Sequence, residues 1–154
     1  MKHLAVAIAL ICAPGAALAG DRVWSSHQQQ GISTAHVVNA EGVTLRVDCP
    51  EAGQDRVPTI SIASPGLEGG ENKTVLTLIT VGGRSASLDF RRRVLEQNEV
   101  VYTWDATAQR PMFDQLLFAL TRGGRTASVV MRTERFRQDF PLQGARAALE
   151  ACAA

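Results

Sequence analysis

Val43-Thr44-Leu45-Arg46-Val47-Asp48-Cys49 alternates apolar and polar side chains at every step, and that period of two marks a strand buried on one face. Val43, Leu45 and Val47 share a face with Cys49, so the cysteine that ends the strand points inward. A second inward cysteine lies near the end of the chain. Leu142, Ala145, Leu149 and Cys152 fall on one side of a short helix, and a Cys49–Cys152 disulfide would staple that helix to the strand.

Working outward from this strand, most of the chain repeats its pattern. Arg22 to Gln30, Ile32 to Val38, Thr59 to Ala63, Thr74 to Val81, Ser85 to Phe90 and Val100 to Trp104 read as strands, and Asn39-Ala40-Glu41-Gly42 reads as a hairpin turn. Ser64-Pro65-Gly66 with Gly69-Gly70 marks a loop. The period changes at Pro111, where Met112, Phe113, Leu116, Leu117 and Leu120 recur three and four residues apart before Gly123-Gly124, which predicts an amphipathic helix near residues 111–122. Thr126 to Thr133 and Phe136 to Phe140 close the set. The expected fold is therefore mainly β: an antiparallel β-sandwich with one helix and a short C-terminal helix held by the disulfide.

The first nineteen residues follow a different logic. Lys2 is followed by the apolar run Leu4 to Ile11, by Pro14-Gly15 and by Ala17-Leu18-Ala19, the order of a secretory signal peptide. We expect residues 1–19 to be removed and residues 20–154 to form one domain. Cys12 leaves with the signal, so the two remaining cysteines form an even pair in an oxidising compartment. No later apolar run approaches the roughly 20 residues that cross a bilayer, which predicts a periplasmic or secreted protein with no transmembrane segment.

The whole chain carries a formal net charge of +1, which gives no reason to expect nucleic acid as a partner. Charge is unevenly spread: residues 20–83 hold four basic and seven acidic side chains, residues 84–137 ten and six. Arg84, Arg91, Arg92, Arg93, Arg122 and Arg125 form the candidate binding patch, suited to an acidic protein or an anionic envelope component. Two ordinary origins compete with that reading: charged strand edges that block aggregation, and a genome rich in arginine codons.

The other motifs do not build a reaction centre. His27, His36 and Asp48 could share a metal, but no third or fourth ligand stands at diagnostic spacing, so we expect exposed strand histidines and no cofactor. Ser25-Ser26-His27 brings hydroxyls and an imidazole together only along the sequence, and Gly69-Gly70 and Gly82-Gly83 lack the spacing of a phosphate-binding loop. Trp24, Tyr102 and Trp104 are read as core residues. Asn72-Lys73-Thr74 fits a glycosylation acceptor that a bacterial host would leave unmodified.

Trp24, the run Leu45-Arg46-Val47-Asp48-Cys49, and Phe140-Pro141-Leu142-Gln143-Gly144-Ala145 followed by Ala148-Leu149 and Cys152 together resemble the small exported β proteins of the invasion-associated locus B group. The likeness covers mainly the final third, lacks further cysteine pairs, and transfers no functional residue. It implies an envelope or secreted protein concerned with envelope or host contact. The expected function is a non-enzymatic binding protein of the bacterial envelope. The alternatives are a small envelope hydrolase whose site assembles only in three dimensions, and an enzyme inhibitor using the loop from Pro65 to Asn72.

Overall fold

The computed structural model describes residues 22–65, 73–94, 100–132 and 135–152. The signal segment and most of the Pro65 to Asn72 loop lie outside the described residues.

Nine strands form one antiparallel sheet: β1 (Ser25–Gln29), β2 (Ile32–Val38), β3 (Thr44–Pro50), β4 (Thr59–Ala63), β5 (Thr74–Val81), β6 (Arg84–Val94), β7 (Val100–Asp105), β8 (Thr126–Met131) and β9 (Phe136–Pro141). Their spatial order is β1-β2-β3-β4-β7-β6-β5-β8-β9. The expected mainly β, antiparallel fold with two helices and the disulfide is present, and the sandwich form is refined. A single sheet curls into a half-barrel, and helices rather than a second sheet cover its concave face. The physical reason is that period-two alternation fixes which face is buried without specifying what buries it.

Register turns the alternation into a continuous inner surface. Ala35, Val47, Ile60 and Trp104 lie in one row across four strands, and Val37, Leu45, Ile62, Tyr102 and Arg92 in the next across five. Helix α1 (Arg110–Arg122) lays Phe113, Leu116, Leu117 and Leu120 into the same core, with Phe113 stacked against Trp104 at 6.4 Å between ring centres. Pro111 sits in its first turn, where a missing N–H costs nothing.

A short helix α2 (Ala145–Ala148) and a 3-10 turn (Glu150–Cys152) complete the cover. Cys49 and Cys152 are joined, with Cα atoms 5.2 Å apart, as the two inward faces predict. The Trp24 indole donates to the Pro141 carbonyl at 2.9 Å and its backbone N–H to Gln143 at 2.9 Å, so the chain entering the first strand is tied to the chain leaving the last. Asn39 extends this closure by donating to Gln138 of β9 at 2.6 Å while its side-chain oxygen accepts from the N–H of Val43, fixing the hairpin turn that ends with Gly42 at φ +77°.

Candidate functional site

The six arginines of the expected patch separate into four environments. Strand β6 does not stop at Phe90 but runs through the triple arginine to Val94, so strand alternation sends Arg91 and Arg93 to the convex face and Arg92 to the concave one. Arg92 is 2% exposed, shares the inner row with Tyr102, and holds its guanidinium 5.9 Å from the centre of that ring. It is a core residue, and its assignment to a surface patch is corrected on that ground.

Arg91 and Arg93 act on Asp105 of the neighbouring strand, Arg91 from the position opposite Thr103 and Arg93 from the one opposite Val101. The Thr107 hydroxyl and backbone N–H stabilise the Asp105 carboxylate, the two arginines add to them, and together they hold its pKa below the usual carboxylate value. Arg125 is exposed, and its carbonyl accepts from Leu142 at 2.8 Å.

Arg84 and Arg122, 38 residues apart in number, do come together. Arg84 opens β6 at the tip of the β5–β6 hairpin and Arg122 ends α1; both line a hollow with Phe118 and Ala119. Phe118 is 48% exposed, an unusual position for a large aromatic, and the Arg122 guanidinium lies 4.9 Å from its ring centre. The hollow continues into a cleft of about 360 Å³ between α1 and the hairpin, floored by Ile79, Ala86, Met112, Leu116 and Ala119. Ser85, Asp114 and Gln115 supply its polar rim. The one acid there, Asp114, receives a bond from Arg110 at 3.2 Å, so its charge is already met.

A second hollow, of about 530 Å³, lies between the end of α1 and α2; Arg122, Arg146 and Glu150 line it, and its lining holds no aromatic side chain. The α1–hairpin cleft is therefore the candidate site. Sequence reasoning named its two arginines and missed Phe118, which stands off the apolar stripe of α1 and was visible only as an aromatic among polar neighbours.

The other candidates take structural roles. His27 and His36 are neighbours on the convex face, with ring centres 5.9 Å apart, while Ser25 meets His36 at 3.2 Å rather than His27. Asp48, the expected third member, is held instead by Thr34 at 2.6 Å and Arg46 at 2.8 Å. Among the described residues, no three His, Cys, Asp or Glu side chains converge as a metal site, and no helix is long and apolar enough to cross a membrane.

No curated protein and no solved structure matches the chain. The YfjT family model matches residues 22–149, which spans all nine strands and both helices. On the strength of that match over most of the chain, the chain belongs to the YfjT family.

Proposed function

We propose that this chain is an exported, non-enzymatic binding protein of the bacterial envelope, and that it holds an anionic component at the mouth of the α1–hairpin cleft. One observation carries the reading: two arginines from distant parts of the chain converge on an exposed phenylalanine at the opening of an apolar cleft. Aromatic and arginine side chains at a concave surface are the residues from which binding sites are built. A volume near 360 Å³ lies at the lower end of small-ligand pockets, so the site suits a compact group rather than a flat protein surface.

Export is supported by the signal-like start of the sequence and by the disulfide, which persists in oxidising compartments. The resemblance to the invasion-associated locus B group points to the same location. His27, His36 and Asp48 lie on the convex face rather than in the cleft, where a reaction would be shielded from water, which favours binding over catalysis.

The test uses anilinonaphthalene sulfonate, an apolar anion that fluoresces when sequestered. The oxidised protein should bind it, and Arg84→Ser with Arg122→Ser should weaken binding at least tenfold and remove most of its salt dependence. Equal affinity in the double variant would remove the cleft from the reading.

A further inference from the structure

We propose that the ligand of this cleft is a single-chain aliphatic monoanion, a medium-chain carboxylate, with its chain on Ile79, Ala86, Met112 and Leu116 and its head at Arg84. The inference rests on the anion-binding reading of the same cleft and goes further by fixing the class of ligand.

The floor sets the chain. Its five lining residues are all aliphatic or thioether, and the only aromatic, Phe118, stands at the opening rather than within. Such a floor offers dispersion and desolvation but no ring to stack on and no buried polar group to orient a sugar or a base. Met112 adds a flexible, polarisable wall that adapts to a chain. A water molecule takes up about 30 Å³ and a methylene group is of similar size, so a cleft of about 360 Å³ accommodates roughly ten to twelve carbons.

The rim sets the charge. Arg122 occupies the last turn of α1, where it offsets the negative end of the helix dipole, and its guanidinium already lies over Phe118. Asp114 and Arg110 cancel one another at the other end of the cleft. Arg84, beside Ser85, is the lining arginine for which the described residues show neither an ion pair nor a ring contact, so its fork is open to a ligand. A guanidinium fork pairs bidentately with a carboxylate, whose single charge Arg84 balances by itself. Arg122 and Phe118 then form the lip under which the head group sits.

The experiment is calorimetric titration of the oxidised protein with decanoate and decyltrimethylammonium below their micellar concentrations and decanol below its solubility limit, in parallel with anilinonaphthalene sulfonate. Decanoate should bind at least tenfold more tightly than the alcohol or the cation. Arg84→Ser should bring decanoate down to the affinity of decanol without changing decanol itself. Ala86→Leu, which fills the floor, should weaken both at least tenfold, and Phe118→Ser, at a half-exposed position outside the buried core, should weaken both severalfold. If the aromatic sulfonate binds through Arg84 while decanoate does no better than decanol, the ligand class is wrong and the anion site stands. If neither anion binds, both fall. Equal binding of all three decyl compounds overturns the monoanion.

Discussion

A methyl group placed on Gly82 would overlap the carbonyl oxygen of Gly123, so the tip of the β5–β6 hairpin and the end of α1 touch backbone to backbone. Gly82 also holds φ at +56°, a left-handed conformation that glycine adopts without strain. Because Arg84 lies two residues beyond one glycine and Arg122 just before the other, this contact brings the two guanidinium groups to one hollow. Gly123→Ala would meet both the Ala119 carbonyl and Val81, and should cost about 1–3 kcal/mol by overpacking. Decanoate affinity should fall with it. Urea unfolding and the same titration check both, and an unchanged midpoint would show that the two backbones separate freely.

The three consecutive arginines should behave as two kinds of residue. Arg92→Ala removes a side chain packed within the core and should destabilise by about 2–4 kcal/mol, whereas Arg91→Ala and Arg93→Ala on the convex face should stay within about 0.5 kcal/mol of the parent. Denaturant midpoints of the three single variants settle the matter; equal effects would contradict the inward placement of Arg92.

Reduction should loosen the whole fold. The disulfide closes a loop with a sequence separation of 103, for which chain entropy gives about 4–5 kcal/mol at most. Cys49→Ser with Cys152→Ser should lower the melting temperature clearly, measured by circular dichroism against the oxidised parent. Non-reducing electrophoresis of the parent should show faster migration than the reduced form, and identical mobility would argue against the bridge.

Stability should also fall on mild acidification. Burial first, then His27 and Arg46 alongside, hold the pKa of His36 below its ordinary value of 6.5. The unfolded chain recovers that ordinary value and so binds more protons than the folded one just below it. The contribution of neutral His36 is therefore complete above pH 6.5 and declines as pH falls from there toward the lowered folded value. His36→Gln should flatten this part of the profile and His27→Gln should flatten it partly, read from urea midpoints at pH 5, 6 and 7. A slope that survives in His36→Gln assigns the effect elsewhere.

The strands were legible because a half-buried strand writes its facing into the sequence, as Val43 to Cys49 does, and α1 because its stripe has helical spacing. The sandwich was not distinguishable from a curled sheet, since the alternation of Leu45 and Val47 is the same under a second sheet or under helices. Arg92 was misplaced because a run of like charges suggested a patch. Yet Leu88, Phe90 and Arg92 share parity, and counting onward from those two apolar residues places it inside. The cleft itself was illegible. It depends on strand β5 pairing with β8 and on α1 folding back across the hairpin, which are long-range choices that no local spacing records.

Trp24 hydrogen-bonds to Pro141 and Gln143, and Cys49 is bonded to Cys152, so the earliest and latest parts of the folded unit complete each other. A chain that emerges from synthesis or translocation with its N-terminus first holds its opening strands unfinished until the last few residues arrive. Until then Cys49 and the inner face of β2 and β3 are available to other molecules. The time between first and last residue is thus an interval of vulnerability written into the topology. A thiol oxidant acting before Cys152 has appeared finds Cys49 without its partner.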